Sequence, residues 1–241
     1  MERCPALKVV ASHSTGTGHI DTKYAAARDI EVVYVHPEDA VNITAVAEHT
    51  IGLIVALTRN YTGAFSGIER GEWERWGCAG ERMLSRMSLG IVGYGRIGKA
   101  VEKLAEPMFK NVLRWDVGGG AMIPPYLCDI VTLHTPPDVQ VVDREFIDGF
   151  YGYLINTARG ESVDERAVVA ALKSGRIKGY AADVLQGEFA EGFDLTESPI
   201  WDAWRDGWNV VLTPHIGGST EDAWKETQEI VIDKVLGFYP G

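Results

Sequence analysis

The residues from Leu89 to Asp116, LGIVGYGRIGKAVEKLAEPMFKNVLRWD, constrain the fold of this chain more than any other stretch. Leu89-Gly90-Ile91-Val92 is a short apolar run that reads as a buried strand. Gly93-Tyr94-Gly95-Arg96-Ile97-Gly98 follows at once, with glycines in a Gly-x-Gly-x-x-Gly pattern. The first glycine of such a pattern permits a tight turn, the second lets a ligand approach the backbone, and the third lets a helix pack on its strand. Ile97, Val101, Leu104 and Ala105 then recur at helical spacing until Pro107 disturbs the helix end. A second apolar run, Asn111 to Trp115, ends in Asp116. Glycine-rich turns are common, and an ordinary β-α-β turn is the bland reading. Strand, glycines, helix, strand and acid in this order favour a dinucleotide site, with the pyrophosphate at the helix N-terminus and the ribose hydroxyls on Asp116. The Asp116 carboxylate would repel a 2′-phosphate, and no Arg or Lys follows it in Val117-Gly118-Gly119-Gly120, so NAD is expected rather than NADP.

The length of 241 residues allows one large domain or two modest ones, and a hydrophobic content of 46% is enough for a real core. A formal charge of -11 argues against nonspecific nucleic-acid binding and against anchoring on acidic membranes. It leaves room for a local cationic pocket and an anionic substrate. Cys4, Cys78 and Cys128 have no paired spacing, which points to a reducing compartment. The start, MERCPALKVV, lacks the apolar stretch of a signal peptide, and the most apolar helix-like piece, Ile51 to Leu57, is too short to cross a bilayer. A cytoplasmic location is expected.

In chain order, Leu7 to Ala11 reads as a strand, Ser12 to Gly18 as a loop of small residues, Asp21 to Arg28 as a short helix and Glu31 to Val35 as a strand. A helix apolar on most faces is expected over Ile43 to Thr58, followed by a polar, tryptophan-bearing connection from Arg59 to Arg86. Val117 to Leu127 holds no convincing element. Strands resume at Asp129 to His134, Tyr153 to Asn156, Gly179 to Val184 and Val210 to Thr213. A helix over Asp164 to Lys173 is read as starting on a Ser162-x-x-Glu165 capping box and stopping at Gly175. A final helix over Ser219 to Leu236 carries Ala223, Thr227, Ile230, Val231 and Val235 on one face. Alternating strands and helices imply a parallel sheet with both faces covered.

Three polar groups fall just after the ends of the later strands, where an open α/β sheet binds ligands: Arg159, Glu188 and His215. Singly, each reads as a solvated charge, a loop carboxylate and a satisfied loop histidine. Together, on one sheet that also holds a nucleotide loop, they favour a site. His13, His19, His36 and His49 show no metal-ligand spacing and read as structural or exposed, so no metal is expected.

With these residues in place, the chain resembles the D-isomer-specific 2-hydroxyacid dehydrogenases over nearly its whole length. The resemblance is carried by GYGRIG with Asp116, by INTARGESVDERAVVAAL, by AADVLQGE and by NVVLTPHIGGST, the last being most similar to the phosphoglycerate dehydrogenase branch. AVAEHTIGLIVALTRN is similar to the family's interdomain helix and HSTGTGHID to its carboxylate-binding loop. The resemblance implies an α/β fold, a Rossmann-type doubly wound parallel sheet with an incomplete second α/β lobe. It divides the chain into a partial substrate lobe with the interdomain helix over residues 1–60, an NAD-binding domain over 61–213 and a C-terminal helix over 214–241 returning to the substrate lobe.

The resemblance also implies roles. His215 is the general acid and base for a small 2-hydroxy or 2-keto acid, Glu188 orients its ring, and Arg159 grips the substrate carboxylate together with the N–H groups of Thr15 and Gly16. Cofactor contacts are implied for Gly93, Gly95, Arg96, Ile97, Gly98, Asp116, Thr157, Ala158, Arg159, His215 and Gly218, with Asp183 on the nicotinamide amide and His134 lining the pocket without chemistry. A homodimer is implied as well. The chain departs from the family by starting where the substrate domain is half finished, and by a short Val117 to Leu127 segment without the family's strand and helix. A nucleotide-sensing, corepressor-like protein or an inactive short form is the competing reading. The lack of a Tyr-x-x-x-Lys pair disfavours the short-chain dehydrogenases.

Overall fold

A computed structural model of the chain describes residues 1, 4–39, 41–116, 127–137 and 139–238, the side chains of residues 37 and 78 excepted. The opening elements are β1 (Val9–Ser12), α1 (Thr22–Ala27) and β2 (Glu31–Tyr34), followed by α2 (Ile43–Thr58) and α3 (Tyr61–Glu69). Then come β3 (Ser88–Val92), α4 (Arg96–Ala105), β4 (Asn111–Trp115), β5 (Ile130–Leu133) and α5 (Arg144–Gly149). The chain continues through β6 (Tyr153–Asn156), α6 (Glu165–Lys173), β7 (Gly179–Ala182), α7 (Pro199–Arg205) and β8 (Val210–Leu212) to α8 (Glu221–Phe238). Two compact units result, one of Val46–Gly217 and one of Met1–Ala45 with Gly218–Gly241, so the division falls inside α2.

In the larger unit the strands form one six-stranded sheet in the order β4-β3-β5-β6-β7-β8. Every pairing in it is parallel. The strands are near-continuous apolar runs because alternate residues serve opposite layers. Val131, Leu154 and Tyr180 point into a core with Val168, Leu172 and Ile200. Their neighbours Ile130, Ile155 and Ala181 point into a second core with Leu89, Ile91, Val101 and the α2 residues Ala47, Leu53, Ile54 and Leu57. Those α2 positions recur at helical spacing, which is why the helix is held on this face. The strand order reverses direction at β3, between β4 and β5, and such a switch point opens a crevice at the strands' carboxyl ends. Among the described residues β4 and β8 are the edge strands; the expectation for 117–127 lies, except for Leu127, outside them.

In the smaller unit β1 and β2 pair in parallel, and Val33 and Val35 pack with Val231 of α8, Val9 and Val235. Ala223, Thr227 and Val231 are the buried residues of α8, as its expected apolar face requires, while Ile230 and Val235 are half-buried. Among the described residues no helix is long and apolar enough to cross a membrane.

Three local expectations are corrected. The connection after Thr58 contains α3, started by Asn60, whose side chain accepts from Gly63 N. Gly63 and Gly67 inside it, with Phe65 and Ile68 left exposed, hide its periodicity. Helices α5 and α7 likewise add to the expected elements, and Asp143 and Ser198-Pro199 start them with ordinary caps. Finally, α6 starts on Asp164, whose side chain accepts from Ala167 N, and not on a Ser162 capping box. Ser162 instead meets Thr135 Oγ1 at 3.2 Å, and Glu165 is drawn away to Gln186 N and Ser198. Gly175 does end the helix, at φ +73°.

Candidate active site and cofactor cradle

The glycine turn is built as the pattern requires. Gly93 follows β3 at φ +91°, and a Cβ there would lie 2.4 Å from His134 O. Its N–H donates to Trp115 O at 2.7 Å, tying the turn to the end of β4. A Cβ on Gly98 would lie 2.3 Å from Gly93 O, so only glycine lets α4 pack this closely on the turn. Gly95 differs: a Cβ there would meet nothing within 4 Å. It caps α4 with no side-chain hydrogen bond, so the first N–H groups of that ten-residue helix have no side-chain cap at Gly95. An uncapped helix start beside an open glycine and an exposed acid at the end of the next strand fits a dinucleotide. Arg114, two residues before Asp116, has its charge partnered by Glu102, which also accepts from the Tyr94 hydroxyl. That carboxylate raises the Tyr94 pKa, chiefly through the hydrogen bond. Arg114 is thus already paired within this unit.

Three loops at the carboxyl ends of β6, β7 and β8 carry the polar groups. After β6, the Asn156 side chain accepts from Ala158 N at 3.1 Å and donates to Arg159 O at 2.8 Å, closing the turn that presents Arg159. Thr157 and Ala158 are buried. Gly160 allows the close approach of the next loop, since a Cβ there would lie 2.1 Å from Leu185 C. That loop is held from below: Gln186 N donates to Glu165 at 2.8 Å and Gly187 N to Glu161 at 3.2 Å. Burial raises the Glu165 pKa.

Glu188 on this loop meets His215, Nδ1 to Oε1 at 2.7 Å. The Glu188 bond raises the His215 pKa most; burial lowers it, Asp183 raises it further and the nearby Arg159 charge lowers it. The structure therefore brings Glu188 and His215 into contact, with the Arg159 charge acting on the same ring. Phe189, which sequence reasoning did not single out, packs its ring 5.6 Å from that of His215.

His215 itself sits at φ +54°, a left-handed conformation unusual for histidine. Asp183 holds it there. Its backbone oxygen accepts from His215 N at 2.8 Å, and its buried carboxylate accepts from Ile216 N at 2.9 Å and Gly217 N at 2.8 Å. Thr213 Oγ1 donates to the same carboxylate at 2.6 Å, and His49 Nε2 lies 3.0 Å from Thr213 Oγ1. Burial works against the charged form of Asp183, yet these bonds leave its pKa lowered. His49, read as structural or exposed, belongs to this network.

His134 has Nε2 3.1 Å from Thr132 Oγ1 and Nδ1 3.4 Å from Thr157 Oγ1, which in turn meets Thr50 Oγ1 at 3.1 Å. Burial pushes its pKa down to about 3, so the ring is neutral and both nitrogens are occupied. Thr15, Gly16 and Gly218 belong to the smaller unit. There the loop after β1 is braced by Ser12 Oγ to His19 Nε2 at 3.1 Å and Ser14 Oγ to Gly16 O at 2.7 Å. Gly218 lies close to Asn42, whose Nδ2 a Cβ would meet at 2.8 Å. Among the described residues no group of three or more His, Cys, Asp or Glu is placed to hold a metal ion.

The family model for "D-isomer specific 2-hydroxyacid dehydrogenase, NAD binding domain" matches residues 51–121 and 126–217. D-3-phosphoglycerate dehydrogenase of Methanocaldococcus jannaschii is 33% identical over 254 residues, covering 98% of this chain and 46% of the relative. Glyoxylate reductase of Thermofilum pendens is 34% identical over 267 residues, covering 100% of this chain and 74% of the relative. The chain thus spans about half the length of the first of these relatives and three quarters of the second. The crystal structure of D-lactate dehydrogenase from Aquifex aeolicus, complexed with NAD and lactic acid, superposes with a TM-score of 0.79 at 26% identity, covering 100% of this chain and 78% of that one. The doubly wound sheet, the NAD-type glycine turn and these matches have one meaning: the chain belongs to the D-isomer specific 2-hydroxyacid dehydrogenase family, and residues 46–217 contain its NAD-binding domain.

Proposed function

We propose that this chain moves a hydride between NAD and a small D-2-hydroxy acid or its 2-keto counterpart, with His215 as general acid and base. The reading is carried by the 2.7 Å contact of His215 Nδ1 with Glu188 Oε1, in reach of the Arg159 charge. Bound NAD supplies the hydride acceptor and NADH the donor. With Nδ1 committed to Glu188, Nε2 is the nitrogen left to exchange a proton with the substrate oxygen. In reduction, protonated His215 donates to the forming hydroxyl; in oxidation, neutral His215 takes the hydroxyl proton. Arg159 grips the carboxylate with a planar, doubly donating guanidinium, helped by the N–H groups of Thr15 and Gly16. The cradle of Gly93, Gly95, Arg96, Ile97 and Gly98 takes the pyrophosphate, and Asp116 the ribose hydroxyls. His134, Thr157, Ala158, Asp183 and Gly218 complete the cofactor contacts. A homodimer belongs to the same reading, supported by Tyr61, Phe65 and Ile68, which α3 leaves exposed.

Purified protein with NADH and a panel of 2-keto acids tests the proposal: loss of NADH absorbance is expected with at least one of them. NADH binding without turnover on the whole panel would favour the nucleotide-sensing alternative. The pH dependence has a fixed sign. Because the His215 pKa is raised, reduction is expected to hold below that value and fall as pH rises through it, while oxidation does the reverse. The pair's contribution to stability follows the same direction, present below the unfolded imidazole pKa and lost as pH rises through the folded one. Glu188→Gln removes the largest raising influence, so both rate profiles should move to lower pH. An unmoved profile would show that Glu188 does not set the acid.

Asp116→Ala is expected to weaken NAD binding about tenfold, through loss of charge-assisted ribose bonds, and to narrow the preference over NADP. Fluorescence titration with both reduced cofactors measures the ratio, and an unchanged ratio would refute the role of that carboxylate.

A further inference from the structure

We propose that His49, on α2, is a positioning residue for the acid–base loop: it donates from Nε2 to Thr213 and thereby fixes Asp183 and the backbone on which His215 rides. The inference rests on the reading of His215 as the acid and base, and adds a residue to its machinery.

The direction of the bonds follows from counting protons. Thr213 Oγ1 has one proton, and it goes to Asp183 Oδ1 at 2.6 Å. The hydroxyl can therefore only accept from His49 Nε2 at 3.0 Å, which makes His49 the Nε2–H tautomer or the imidazolium. The same Nε2 lies 3.4 Å from Asp183 Oδ1, so one N–H stands over both acceptors. Asp183 is the hub: its backbone oxygen takes His215 N, Oδ1 takes Ile216 N and Oδ2 takes Gly217 N. Three successive amides around a residue at φ +54° are held by one buried acid. A left-handed non-glycine residue persists only where its surroundings over-determine it. The packing is close as well as polar, since a Cβ on Gly217 would lie 2.9 Å from Asp183 Oδ2 and 3.5 Å from His49 Cδ2.

Removing the donor has a defined consequence. Without His49, Thr213 Oγ1 loses the side-chain N–H at 3.0 Å from it, and the Asp183 carboxylate loses the imidazole nitrogen at 3.4 Å. The loop then has less reason to stay left-handed at His215. The charged and titratable groups that face His215 are Glu188, Asp183 and Arg159, and Asp183 also faces His49.

The test compares His49→Leu, which removes the N–H, with His49→Gln, whose amide N–H reaches a similar point, and with Thr213→Val, which cuts the link while keeping its shape. Amide hydrogen exchange is measured by NMR on the full chain without cofactor. His49→Leu and Thr213→Val should speed exchange at Ile216 and Gly217 about tenfold, the equivalent of one lost buried hydrogen bond, while Ile155 and Ala181 in the sheet stay protected. His49→Gln should restore protection. In turnover, His49→Leu should lower kcat about tenfold, and Gln should recover it. Unchanged exchange at Ile216 and Gly217 in His49→Leu overturns the proposal. So does an equal loss of protection across the sheet that Gln fails to recover. Since exchange needs no substrate, a chain with this exchange pattern and no turnover would sink the dehydrogenase reading while leaving the His49 link standing.

Discussion

His215→Asn should slow NADH-dependent reduction of the best 2-keto acid by a factor on the order of 10²–10⁴, the usual contribution of a positioned acid or base. Asparagine is the informative choice because of the backbone. His215 sits at φ +54°, and asparagine enters the left-handed region more readily than other residues with a Cβ. The variant keeps the Ile216 and Gly217 bonds to Asp183, so the loop should remain in place while the titratable nitrogen is lost. NADH affinity should change little, because the glycine turn and Asp116 lie elsewhere in the unit. Single-turnover kinetics and a fluorescence titration separate the two quantities. A rate within tenfold of the parent would remove His215 from the chemistry. A loss confined to NADH affinity would recast it as a binding residue.

The β3-α4-β4 unit was legible because each local signal agreed with the fold: apolar runs of strand length, glycines at the turn and a 3.6-residue period after it. Strands β5 to β7 were legible for the same reason, being buried along their length and largely apolar, and β8, half-buried at the sheet edge, is an apolar run as well. The helices missed are short or interrupted, α5 with six residues, α7 with seven and α3 with two glycines inside it. Their periods are too brief to register, and only Asp143, Ser198-Pro199 and Asn60 mark them. The capping-box reading of Ser162 failed because a tertiary demand won: Glu165 supports Gln186 on the loop that carries Glu188.

The same division runs through the site. Arg159, Glu188 and His215 stand out as polar residues after strand ends, and the resemblance supplied their partnership. The link from His49 to Thr213 spans 164 positions, and that from Thr213 to Asp183 spans 30, so no local pattern announces them. The left-handed backbone of His215 is equally silent, since histidine gives no hint of positive φ where glycine or asparagine would. The resemblance implies a nicotinamide contact for Asp183, and its bonds give it a second part as the anchor of the His215 loop.

Two glycines of one turn should respond to the same substitution in opposite ways. Gly93→Ala places a Cβ at φ +91° and 2.4 Å from His134 O, a backbone atom that cannot swing aside. Left-handed strain of about 1–3 kcal/mol adds to an overpacking cost of similar size, so destabilisation of roughly 2–6 kcal/mol is expected. His134 N donates to Val92 O at 2.7 Å, so moving that segment also disturbs the β3–β5 edge at the switch point. Gly95→Ala puts its Cβ into open space at φ -77°, which any residue adopts, and should cost about 1 kcal/mol or less. That open space is where the pyrophosphate approaches, so NADH affinity should still fall at least about tenfold, as a methyl group enters the path of the phosphates. Urea unfolding and NADH titration on both variants separate the turn-forming glycine from the ligand-facing one. A Gly95→Ala protein that binds NADH like the parent would mean the phosphates take another route, and a Gly93→Ala protein of parental stability would mean the turn can relax around the added carbon.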